Sequence, residues 1–82
     1  MKGKQQVITA AQCRAACGLI EMSQLDLARA AVLASSVVID FEHGASIPQR
    51  ANLEAIRRAL EAAGVEFIAE NGGGPGVRLR KS

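Results

Sequence analysis

Two cysteines four residues apart, Cys13 and Cys17, are the first side chains in this sequence whose type and spacing could do chemistry. On a helix that spacing sets both sulfurs on one face, where paired thiols could hold a metal ion or undergo redox exchange. A tetrahedral site needs more donors, and no further Cys or His set stands at ligand spacing. A disulfide between positions i and i+4 of one helix is geometrically awkward. The expectation is therefore two small core residues and no metal, since free cysteine packs as a small hydrophobe. His43 is the only histidine, and it reads as a helix-end residue beside the C-terminal dipole rather than a ligand. The run from Asn71 to Gly76 contains Gly-Gly-Gly-Pro-Gly but lacks the Lys-Ser/Thr and the following helix of a phosphate loop, so it reads as a turn. No nucleophile stands beside a base at a useful spacing. The chain is expected to be no enzyme and to need no cofactor.

Composition fits that view. Of the 82 residues 49% are hydrophobic and only 2% aromatic, with Ala, Leu, Val and Ile dominating, which is the composition of a small helical domain. A net charge of +2 is too small to argue for or against nucleic acid by itself. No apolar run approaches the roughly 18 residues of a membrane span, and no signal-type apolar core follows the N-terminal lysines. With two expected free thiols, the chain reads as cytoplasmic, without a membrane role.

The elements that must position these residues follow from caps and periodicity. Residues 1–8 form a flexible lead, 9–63 a helical domain, and 64–82 a hairpin and tail. Thr9 caps a first helix at about 10–18, which turns Cys13, Ala16 and Leu19 inward and stops at Gly18. Ser23 caps a second helix with Leu27, Ala28 and Ala31 on one face and Asp26 in its first turn. A third helix at about 35–42 turns Val38 and Phe41 inward and stops at Gly44. After Pro48, a fourth helix at about 49–63 carries the stripe Leu53, Ile56, Leu60 and ends at Gly64. The alternating segments 65–68 and 77–80, with the Gly-rich turn between them, predict a β-hairpin. A lone hairpin is marginal in water, so it either docks on the helices or pairs with a second copy, which raises the prospect of a homodimer.

Two short helices joined by a tight turn, after a packing helix and before Gly and Pro, are helix-turn-helix organisation. Ser23-Gln24, Leu27-Ala28, Val38, Phe41-Glu42, Gly44 and Pro48 resemble the XRE, or phage-repressor-like, family over roughly residues 9–63. The resemblance implies a mainly α fold of four to five helices with a short C-terminal β-hairpin. It also implies a third helix lying in the DNA major groove, with Ser35, Ser36 and Asp40 toward bases, Gln24 toward phosphate, and His43, Ala45 and Ser46 in the following loop.

At those positions the sequence departs from the pattern. The third helix offers no Arg, Gln or Asn to base edges, and Asp40 would face a polyanion. Val32 stands where the family prefers a turn glycine, so a positive φ there is disfavoured and a reshaped turn is expected. Ala34 removes a side-chain cap. Cys17 occupies the place of an Arg that relatives hold against the residue matching Glu42, which leaves Glu42 to Arg14, His43 or solvent. The expected function is accordingly a small antiactivator that binds another transcription regulator through Ser36, Val37, Ile39, Asp40, His43 and Ile47. The alternative is a dimeric, sequence-specific repressor holding double-stranded DNA through Arg14, Gln24, Arg29, Ser35, Ser36 and Arg50.

Overall fold

The computed structural model describes residues 7–70 and 72–80. Most of the expected N-terminal lead, together with Asn71, Lys81 and Ser82, lies outside the described residues. The fold is mainly helical: α1 (Ala10–Ile20), α2 (Gln24–Ala31), α3 (Ser35–Glu42) and α4 (Arg50–Ala62) precede an antiparallel hairpin of β1 (Val65–Ile68) and β2 (Gly76–Leu79). Among the described residues, no helix is long and apolar enough to cross a membrane.

Local chemistry explains the helix starts. Thr9 accepts from the Gln12 amide at 3.0 Å, and the Gln12 side chain accepts from the Thr9 amide at 2.9 Å, a reciprocal capping box. Ser23 Oγ accepts from the Asp26 amide at 3.0 Å. Ala34 gives α3 no side-chain cap, as its side chain requires.

The helix ends depart from the sequence expectation. α1 does not stop at Gly18; it runs to Ile20 and closes through Glu21 at φ 54°. Val32 is not spared the left-handed region either, because α2 closes through it at φ 59°. The same pair of bonds closes both helices. The Met22 amide reaches Cys17 O at 3.0 Å, and the Leu33 amide reaches Ala28 O at 2.8 Å. These bonds satisfy the last carbonyls and hold non-glycine residues where sterics disfavour them. The turn before α3 thus keeps the conformation a glycine would take, rather than the reshaped one the sequence predicts.

The core lies between the four helices and the hairpin. Leu27, Val38, Ile56, Leu60 and Val65 are all 0% exposed, each a burial that stabilises by about 1.5–3 kcal/mol. Ile8, expected in the flexible lead, is 3% exposed and joins this core. Leu19, expected to point inward, is 41% exposed, because the extended α1 buries Cys13, Ala16 and Cys17 instead. The hairpin docks on α1 and α4 of its own chain. Phe67 and Val77, a cross-strand pair, pack against the core. Gln12 then reaches across from α1, its Nε2 donating to Gly76 O at 3.0 Å and Ile68 O at 3.4 Å. One buried amide therefore caps α1 and fixes both strands.

Candidate functional site

α3 presents one face outward and one inward. Ser36, Asp40 and His43, at i, i+4 and i+7, form an exposed polar stripe, with Val37 and Ile39 half-buried on either side. Val38, Phe41 and Glu42 are buried beneath. The loop after Gly44 folds back, with the Ala45 amide donating to Asp40 O at 2.8 Å. It leaves Ile47 83% exposed beside the helix. Of the residues expected to meet a protein partner, Ser36, Asp40 and His43 share this stripe and Val37 and Ile39 border it, while Ile47 lines a separate groove with Val7, Ile8, Phe41 and Leu53. Val32, not among the expected contacts, is 86% exposed in the turn leading into α3. The signal for it was present: a β-branched residue at a turn position with no core neighbours due to it must lie in solvent.

The residues of the DNA-contact alternative are differently placed. Ser35 is half-buried. Arg29 is exposed on α2, 4.0 Å from Asp26 of the same helix, and Arg50 is exposed at the start of α4. Gln24, half-buried, and Arg14, which stays exposed, both reach Glu42. Gln24 Nε2 donates to Glu42 Oε1 at 2.9 Å, and Arg14 Nη1 donates to the Glu42 backbone carbonyl. Arg14 thus keeps part of its guanidinium toward solvent.

Glu42 is the residue whose setting the sequence did not disclose. Its side chain meets neither His43 nor solvent: it is 5% exposed, and its Oε2 accepts from Cys13 Sγ at 3.1 Å and Cys17 Sγ at 3.5 Å. Arg14 takes the main-chain carbonyl and leaves the carboxylate to the thiols and the amide. A buried carboxylate must be hydrogen-bonded, and here a helix-one face and the head of α2 supply the donors. Burial, followed by the hydrogen bond and charge of Glu42, pushes the Cys13 thiol well above the ordinary range. Burial and the Glu42 charge push the Cys17 thiol up to about 11. Both cysteines are core residues, as expected, but they are polar partners as well as packing. The two sulfurs and a carboxylate oxygen lie within 4.8 Å of one another.

The basic strand end is largely engaged within the chain. Arg78 Nε donates to Glu66 Oε1 across the hairpin at 2.9 Å, and Arg80 Nη2 donates to Glu61 O at 2.7 Å. No protein-family model matches the chain, and no curated protein matches it.

Proposed function

We propose that this chain is a transcription-regulating helix-turn-helix protein, similar to the XRE family in plan, that binds another regulator through α3 and masks it. The observation that carries the reading is the composition of the outward face of α3. Its exposed stripe holds one carboxylate, Asp40, and no Arg or Lys, and Gln24 spends its amide on the Glu42 carboxylate. DNA affinity rests on cations and donors that reach phosphates and base edges, and this face supplies few. The apolar residues Ile47 and Val32, with half-buried Val37 and Ile39, offer anchors, and Asp40 orients them toward a basic patch on the partner.

One observation favours the dimeric repressor. The left-handed Val32 retains a tight connection between α2 and α3, so the geometry that would set α3 in a groove is kept. Fluorescence anisotropy of the purified protein against mixed duplex DNA, including its own upstream region, separates the two at low and physiological salt. Absent or weak, sequence-independent binding is expected. Tight, sequence-dependent binding that falls steeply with salt would sink the masking reading and restore the repressor.

A further inference from the structure

We propose that Cys13, Cys17 and Glu42 form a buried binding site for a thiophilic divalent metal ion of the zinc class. The inference is independent of what α3 binds. Two thiols one helical turn apart on α1 face the carboxylate that ends α3, and all three ligand atoms lie within 4.8 Å of one another. Zinc bonds of about 2.3 Å to sulfur and 2.0–2.2 Å to oxygen put neighbouring tetrahedral ligands roughly 3.5 Å apart. The separations here, 3.1 Å and 3.5 Å from Glu42 Oε2 to the two sulfurs, are already of that size.

The surroundings are those of a prepared site. Cys13, Cys17 and Glu42 are 0%, 7% and 5% exposed. The other carboxylate oxygen is held at 2.9 Å by the Gln24 amide, which orients the ligand from outside as outer hydrogen bonds do at metal centres. Two thiolates and a carboxylate carry three negative charges against the ion's two positive. The Arg14 guanidinium, bonded to the backbone of the same glutamate, supplies the third. The fourth tetrahedral position falls to a water molecule. Binding requires no oxidant or reductant: each thiol gives its proton to solvent and its sulfur lone pair to the ion, so two protons leave per metal bound. The bound ion would clamp α1 to the last turn of α3.

The test uses the full chain, reduced and freed of metal with a chelator, titrated with cobalt(II) and then zinc(II). Expected are one equivalent bound, thiolate-to-cobalt charge-transfer absorption with the intense visible bands of tetrahedral cobalt, displacement by zinc, and two protons released per ion. Gln24→Ala should weaken zinc binding about 10–100-fold. Cys17→Arg should lose the charge-transfer bands while keeping its helical circular dichroism, because the introduced guanidinium can pair with Glu42. Absence of charge-transfer bands in the folded wild-type protein at excess cobalt would overturn the site. So would bands of equal intensity in Cys17→Arg. Should that variant not fold, the wild-type proton count decides, with none released ruling out thiolate ligation.

Discussion

Gln24 Nε2 donates to Glu42 Oε1 at 2.9 Å, so the first residue of α2 holds the last residue of α3 through a carboxylate that is almost wholly buried. The bond fixes the far end of α3 against the near end of α2, across the turn that joins them. Truncating the donor leaves a buried carboxylate oxygen without its amide, a loss of about 1–3 kcal/mol. Gln24→Ala should lower the unfolding free energy of the metal-free protein by that amount, read as a lower urea midpoint at an unchanged m-value. An unchanged midpoint would mean that solvent serves Glu42 equally well.

Val32 is the opposite case, a residue whose replacement should help. It takes φ 59° with its side chain 86% exposed, so it bears the strain of the left-handed region and returns little burial. Val32→Gly removes a steric cost of about 1–3 kcal/mol and adds unfolded-state freedom that offsets part of it. A net gain of about 1 kcal/mol is expected, raising Tm by roughly 4–8 °C for a domain of this size. A lower Tm would show that Val32 makes a contact worth more than the strain.

Gln12 joins the hairpin to α1 through the carbonyls of Ile68 and Gly76, and its own oxygen completes the α1 cap. Gln12→Leu keeps the volume and removes all three bonds. Hydrogen exchange of the β1 and β2 amides should accelerate more than that of α2 and α4, because the hairpin loses its polar anchor while the helical core stays packed. Equal acceleration everywhere would mean that the hairpin and helices open only together.

The elements were legible in the sequence because local rules and core packing agree there. Ser23 caps α2, Ile56 and Leu60 share a stripe, and the alternation around Phe67 and Val77 marks a hairpin. What was not legible depends on contacts between distant residues. Leu19 reads as core from α1 alone, but Glu21 lets that helix continue and Cys17 takes the buried place. Ile8 looks like part of a polar lead until the core closes over it. Glu42 reads as a partner of Arg14, His43 or solvent because only the assembled fold sets two thiols and an amide around its carboxylate.

The thiols of the metal-free protein give a pH dependence of definite sign. Cys17 is pushed up to about 11 from the ordinary 9.0, so the folded chain keeps its proton where the unfolded chain loses it. The stabilisation is complete below pH 9.0 and is lost as pH rises toward 11, on the order of 2–3 kcal/mol. In chelator, urea midpoints should hold from pH 7 to 8 and fall above pH 9, and Cys17→Ala should lessen that fall, leaving the part due to Cys13. Midpoints that rise with alkaline pH would contradict a protonated thiol at this position.

If α3 has little affinity for DNA, as proposed, the cause is either its shape or its charge. Ser36 and Asp40 share the exposed face of α3, while Val38 and Phe41 hold the helix from below. Substituting Ser36→Arg and Asp40→Arg together changes neither the core nor the bond between Gln24 and Glu42, and surface changes of this kind usually cost less than about 0.5 kcal/mol. It replaces one negative charge by two positive ones on the helix that the family resemblance sets in the major groove. Anisotropy should then detect tighter duplex binding than the wild type shows, with a log-log salt slope that reflects about two added phosphate contacts. Binding gained with that slope would mean that the α2–α3 geometry still fits a groove and that its side chains, not its shape, set its affinity for DNA. If the double variant folds and binds no better than wild type, the surface itself is unfit for DNA, and charge is not what separates this chain from a DNA reader.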